Sequence, residues 1–451
     1  YLLTGRPYCD HYKMNLGGDQ HFKDDLWFAW RKLMLAEQHD VWVCGPSASL
    51  GYALKDRGLN WLREAEDVCD GVMKESLSQI MLYIRFNLSL NKAAPIAVFN
   101  PLPWDRSEVV DVNLIFKEGD FEEIAILDPQ GNIVPSQILE IERYEDGSVR
   151  RAKVAFMAFD VPGIGYKVYY VTENGHEVQT DLEASEYKIK NSKFVMTLND
   201  HGITGITLTE TGQQLIAEDE VATKLKAFIG DKKVWVDTSQ VPCRIRQTVK
   251  GPILARYEIT GSAGIFDFRK LITAYSYMPR IDIEDHVSIP KQAYIEHHTG
   301  EADPSKMWWR GFHTDVFIED KKLRTVIPLS ITNEVVRRNI VYVPSETKRT
   351  VFSGYDWADV SNEEKGLALI NNGNFRYHYD KSLKELSLIL GYSGTFIYSG
   401  GPEFHMMRGN YTFRYSLFPH GPFNASPVNR IALAVNNPLI VWGFKYAPLI
   451  K

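Results

Sequence analysis

The pattern of the chain changes once, at Asn91, and does not change back. Before that point apolar residues recur every three to four positions, the spacing of an amphipathic helix. From Ala93 onward, short alternating or apolar runs bounded by Gly, Pro, Asn and Asp follow one another to the end of the chain. No strand signal there alternates with a helical stretch of about 10–15 residues, which excludes a βαβ domain. The chain must therefore set a helical unit ahead of a long region built of strands.

Within the helical part, Asp24 to Glu37 reads as one amphipathic helix carrying Leu26, Trp27, Trp30, Leu33 and Met34 on its apolar side. Gly45-Pro46-Ser47 breaks the pattern. Ser49 to Arg57 is expected to form a short second helix and Leu59 to about Leu88 a third, with short connections that favour an antiparallel bundle. In the strand part, Ile96 to Phe99, Val109 to Phe116, Ile124 to Leu127, Val154 to Phe159 and Tyr166 to Val171 read as strands. Asp128-Pro129-Gln130-Gly131 is a turn sequence. Further strands are expected at Tyr187 to Ile189, Phe194 to Leu198, Ile203 to Thr207, Arg244 to Val249, Ala255 to Ile259, Arg280 to Ile289, Gly366 to Ile370, Leu386 to Leu390 and Tyr411 to Leu417, with strands running to the chain end. The expected fold is a multidomain α+β protein: a helical bundle at 1–90, a small β-sandwich at 91–172, and a large region at 173–451 made of two sheets stacked face to face. A length of 451 residues agrees with about three domains.

Composition narrows the function classes. With 44% hydrophobic and 24% charged residues the chain can bury a sizeable core. A formal net charge of -6 gives no basic footprint for nucleic acid. Cys9, Cys44, Cys69 and Cys243 form no C-x-x-C pair, so a zinc ribbon or a disulfide framework is not expected. The acceptor patterns at Asn87, Asn410 and Asn424 arise readily by chance and decide nothing. No apolar run reaches the ~18 residues of a membrane span. The start at Tyr1 and the apolar end beginning at Asn437-Pro438 read as a piece of a longer protein, so the compartment is not legible.

The candidate chemistry sits where the first helix runs out. Leu33-Met34-Leu35-Ala36-Glu37-Gln38 leads straight into His39-Asp40. An imidazole there can give a nitrogen to a metal, and a carboxylate can hold sugar hydroxyls. A His-Asp pair at a helix end is by itself more often a surface or capping pair. The order of elements after it adds meaning. Helices ending near Gln38-His39-Asp40-Val41-Trp42-Val43-Cys44-Gly45, then a small and a large strand region, resemble the middle and C-terminal portions of retaining α-mannosidases of glycoside hydrolase family 38. In that family the step is usually written His-His-Asp-Ala-Ile-Thr-Gly-Thr. Val98-Phe99-Asn100-Pro101-Leu102-Pro103-Trp104 resembles the family's entry into the first sandwich, and Gly165-Tyr166-Lys167-Val168-Tyr169 its exit. Gly251-Pro252-Ile253-Leu254-Ala255, Arg280-Ile281-Asp282, Phe404-His405 and Phe413-Arg414-Tyr415-Ser416-Leu417 are similar to landmarks of the large sandwich.

The resemblance implies a large β-supersandwich of the galactose-mutarotase type. It implies that His39 is a zinc ligand and that Asp40 contacts mannose hydroxyls. It also implies that the remaining zinc ligands, the nucleophile and the general acid lie on an N-terminal α/β catalytic domain outside this sequence. The implied partners are that domain and an α-mannoside glycan. His313-Thr314-Asp315 and His378-Tyr379-Asp380 match the family's His-x-Asp step by letters, but they follow His39 and sit among strands, so they are read as strand or loop residues. The expectation is a parent enzyme that hydrolyses α-mannosides and a chain that alone does not. Trp42 and Cys44 stand where the family has small residues, so the sugar would be bounded differently there. Leu388-Ile389-Leu390-Gly391-Tyr392 lacks the arginine of the family's Leu-Arg-Ser step.

Three other readings remain open on the residues. A polysaccharide lyase would use Asn371, Asn372, Arg376, Tyr377 and His378, which read more simply as a polar turn after Ile370. A mutarotase-type epimerase would use Glu296, His297, His298 and Glu301 ahead of Met307-Trp308-Trp309-Arg310, which read as a surface loop. The third is a non-catalytic carbohydrate-binding or scaffolding module.

Overall fold

The computed structural model describes residues 19–38, 41, 54–87, 93–173, 179–230, 232–293, 295, 321–341, 343–397, 402–405 and 407–443. Helix α1 (Asp19–Ala36) begins five residues ahead of the sequence reading. Helix α2 (Leu54–Met81) joins the expected second and third helices into one, with Gly58 inside it. A helical glycine costs only about 1 kcal/mol against alanine, too little to interrupt 28 residues of amphipathic pattern. Helix α2 stops at Met81 rather than near Leu88, because Ile80, Met81 and Ile84 turn onto Ala97, Phe99 and Tyr170 of a sheet. Lys32 of α1 pairs with Glu64 of α2 across the two helices. Among the described residues no helix is long and apolar enough to cross a membrane.

Strands dominate the rest, and every strand pairing among the described residues is antiparallel. A three-stranded sheet (Arg106–Ile115, Val149–Val161, Ser136–Arg143) and a five-stranded sheet share one apolar core around Ile96, Val112, Phe156 and Tyr169. The five-stranded sheet includes a strand from the far end of the chain: Ile440–Gly443 returns to pair with Ile96 to Phe99. The Asn100-Pro101-Leu102 step closes this unit. The fully buried Asn100 amide donates to Trp104 O (2.8 Å) and Val161 O (3.1 Å), and its oxygen accepts from Leu102 N (3.0 Å).

A six-stranded and a nine-stranded sheet form the larger part, with a four-stranded sheet (Glu183–Leu208) beside them. One core runs through all three, from Ile189 and Phe194 through Leu225, Ile272, Ile283, Leu323 and Leu388 to Leu417. The joint between the small and large parts is polar and close. Gln137 Oε1 accepts from Ile253 N and Leu254 N (both 3.1 Å). A side chain at Gly251 would meet the Gln137 amide at 2.2 Å, which explains the glycine of Gly251-Pro252-Ile253.

The expectation of strands to the chain end is overturned by helix α3 (Ala425–Asn436). Asn424 caps it, its side chain accepting from Ser426 N at 3.0 Å. Pro427 falls in the first turn, where it breaks no helical bond. Val428, Ile431, Ala432 and Val435 then cover Trp357, Ala368, Ile370 and Phe418 on the outward face of the nine-stranded sheet. The polar turn read at 371–378 is also corrected: Arg376–Asp380 is a strand of the six-stranded sheet.

Candidate functional site

Helix α1 closes with Glu37 N on Leu33 O (2.9 Å) and Gln38 N on Leu35 O (3.4 Å), and Val41 N then bonds Gln38 O (3.1 Å). Val41 is buried. His39 and Asp40 themselves lie outside the described residues, as do Trp42 and Cys44. So do Glu296, His297, His298, Glu301, Met307 to Arg310 and His313 to Asp315. Among the described residues no three His, Cys, Asp or Glu side chains come together to hold a metal ion.

The lyase-type cluster is taken apart by strand alternation. Tyr377 points into the shared core, fully buried, with its hydroxyl on Asn371 Nδ2 (2.8 Å) and Leu369 O (3.2 Å). Burial pushes its hydroxyl far above the usual range, the opposite of what a catalytic base needs. His378, one residue on, belongs to the other face of the sheet.

That other face is the polar surface the sequence reading missed. Strands Lys224–Ile229, Leu323–Pro328, Glu385–Gly391 and Arg376–Asp380 lie side by side, and register sets Lys224, Val326, Ser387 and His378 in one row across them. Lys226 Nζ bonds Glu385 Oε1 (2.9 Å), and Lys224 Nζ lies 4.0 Å from the same oxygen. Arg324 Nη1 meets His378 Nδ1 at 2.9 Å. Trp235 from the edge strand packs 5.4 Å from the Arg324 guanidinium. Lys224, Arg324, His378, Glu385 and Ser387 are all buried despite their polarity. Glu385 Oε2 and Ser387 Oγ have no hydrogen-bond partner among the described residues. Such a surface suits a polar protein face or the hydroxyls of a glycan, since a buried polar atom is stable only when partnered. The sequence signal was the strict alternation Lys224-Leu225-Lys226-Ala227.

Two carboxylates on the nine-stranded sheet, Asp282 and Glu284, are ion-paired. Asp282 accepts from Ser416 Oγ (2.6 Å) and pairs with Arg280 Nε (3.2 Å). Glu284 accepts from Arg414 Nε (2.7 Å), and His286 Nε2 lies 2.6 Å from its other oxygen. Burial alone would raise the Glu284 carboxyl, but its Arg414 and His286 partners outweigh it and hold it below the ordinary range. Glu108 is pushed up by burial against the pull of Arg280 and Arg106, but it is enclosed. Ser361, Asp359 and His420 also meet, yet Ser361 Oγ donates to Asp359, and His420 Nε2 lies 2.7 Å from the other Asp359 oxygen. The serine-to-imidazole bond of an activated nucleophile is not made.

No protein-family model and no curated protein matches the sequence. Solved structures do match. An α-mannosidase from Enterococcus faecalis V583 has a TM-score of 0.67 and 15% identity, over 93% of this chain and 53% of that one. A protein in the glycosyl hydrolase family 38 from Enterococcus faecalis has a TM-score of 0.67 and 16% identity, over 94% of this chain and 55% of that one. At such identities the likeness is one of fold, and the chain spans about half the length of both proteins.

Proposed function

We propose that this chain forms the helical and β-rich part of a zinc-dependent, retaining glycoside hydrolase acting on α-mannosides. The observation that carries the reading is the fold shared with an α-mannosidase and with a protein in the glycosyl hydrolase family 38 over more than nine-tenths of the chain. In this reading 1–90 is the helical bundle, 91–172 the small β-sandwich and 173–451 the large mutarotase-type sandwich. The strand Ile440–Gly443 is then lent back to the small sandwich.

In the sequence His39 and Asp40 follow α1 by three and four residues. His39 would supply one nitrogen to zinc and Asp40 would hold mannose hydroxyls. Zinc, when bound, supplies a Lewis acid that grips those hydroxyls. In this reading the other zinc ligands, the nucleophile and the acid belong to an N-terminal catalytic domain of the complete enzyme. The polar face around Lys224, Arg324, His378 and Glu385 supports that domain or frames the glycan. The chain alone is expected to release no mannose. A retaining glycosidase needs two carboxylates about 5–5.5 Å apart in different protonation states, and Asp282 and Glu284 on the nine-stranded sheet are both tied to arginines.

The test is to assay the complete polypeptide that carries this sequence for α-mannoside cleavage, uronate elimination and anomer interconversion in parallel. Mannoside cleavage alone is the expected result. Elimination or interconversion without cleavage would replace the reading with a lyase or an epimerase.

A further inference from the structure

The outward face of the nine-stranded sheet holds a cleft of about 340 Å³ that the proposed mannosidase chemistry does not use. Register builds it: Arg256, Thr273, Asp282 and Ser416 stand opposite one another on four successive strands. Leu271 and Val435 of α3 give it apolar walls, and Tyr275 and Asn372 stand at its side. Its volume lies in the range of small-molecule sites, about 300–1,000 Å³.

The charges in the cleft do not cancel. Three guanidinium groups, Arg256, Arg280 and Arg414, line it against two carboxylates, Asp282 and Glu284. Arg280 is committed to Asp282 and Arg414 to Glu284. Glu258, two residues along the strand from Arg256, is taken by Arg246 and Arg269. Arg256 is left over. Its Nε donates to Thr273 Oγ1 at 2.9 Å, which fixes the plane of the group. Its two terminal nitrogens have no hydrogen-bond or ion-pair partner among the described residues. A guanidinium held by one nitrogen and open at the other two is preset for bidentate contact with an oxyanion.

We propose that this cleft binds a small ligand bearing a carboxylate or phosphate group, with the oxyanion on Arg256 and the remainder of the ligand, monosaccharide-sized, against Leu271 and Val435. The proposal stands apart from the mannosidase reading, since none of these residues carries a role in it.

The experiment is calorimetric titration of the folded chain with inorganic phosphate, glucose 6-phosphate, glucuronate and glucose. Saturable binding of at least one anion, with none for neutral glucose, is expected. Phosphate or glucose 6-phosphate would mark a phosphate site and glucuronate a carboxylate site. Arg256→Gln is expected to weaken binding by about tenfold or more, as loss of a charge-assisted pair does. Arg256→Lys, which keeps the charge but loses the fork, is expected to fall between. Arg151→Gln, exposed on the small sandwich and outside the cleft, is expected to bind as the parent does. No anion binding by the parent, or equal binding by parent and both Arg256 variants, would overturn the proposal.

Discussion

Arg269 and Lys270 are neighbours on one strand of the nine-stranded sheet, both ion-paired, and they face opposite ways. Arg269 points outward to Glu258 and is about half exposed (49%). Lys270 points inward, sealed at 0% exposure, and pairs with Asp285. Asp285 also accepts from Tyr415 OH (2.8 Å), which in turn meets Thr325 Oγ1 (2.8 Å) across the core on the six-stranded sheet. Burial draws the Lys270 ammonium below its usual range and Asp285 pulls it back. The outer pair is solvated and adaptable, the inner one enclosed and fully partnered. The difference teaches that the same chemistry serves two ends: inside, ions fix how the two sheets sit on each other; outside, they leave the Arg256 guanidinium open to a ligand.

The strongest way to break this comparison is Lys270→Met. It strands the Asp285 carboxylate in the core and is expected to cost about 3–5 kcal/mol of stability, read as a shift in urea midpoint. Adding Asp285→Leu is expected to recover most of that loss, because an intact buried pair is worth little more than an apolar replacement. A single-variant cost below about 1 kcal/mol would mean the inner pair is no different from the outer. Next in size is Glu385→Gln on the six-stranded sheet, which removes the charge facing Lys226 and Lys224 and is expected to cost about 1–3 kcal/mol.

The pH dependence sharpens the comparison from the outward side. Hydrogen bonds and charge from Arg269 and Arg246 hold Glu258 below the ordinary carboxyl value of 4.5. Arg414 and His286 do the same for Glu284. Between each lowered value and 4.5 the unfolded chain binds more protons, so stability rises with pH. These contributions are complete above 4.5 and are lost as pH falls through the folded values. A Glu258→Gln/Glu284→Gln variant is expected to show a flatter acid limb of stability against pH; an unchanged limb would remove these pairs from the account. The smallest effect belongs to Arg269→Met, below about 1 kcal/mol as for exposed pairs generally.

How much of this was legible in the sequence follows from the same alternation. Arg280 to Ile289 and Tyr411 to Leu417 alternate cleanly and were read as strands. Asp267–Tyr275 was not, because Lys270 puts a charge where the pattern calls for an apolar residue. Lys224–Ile229 alternates only from Lys224 to Ala227 before Phe228 and Ile229 end the pattern, too short a signal to stand out. Helix α3 was missed because Ser426, Pro427 and Asn429 read as turn residues, and its apolar side is decided by the sheet beneath it. The His39-Asp40 step was legible as a motif. Arg256 was not, since its meaning arises only when register aligns it with residues 273, 282 and 416.

The central proposal is that His39 and Asp40, which follow α1 in the sequence, are this chain's share of a zinc-dependent mannosidase site. The most direct test is zinc content and p-nitrophenyl α-mannoside hydrolysis of the complete polypeptide beside its His39→Ala variant. The account predicts stoichiometric zinc and activity in the parent, with both lost in the variant. Zinc and activity unchanged by the substitution would contradict it and make His39-Asp40 a structural pair.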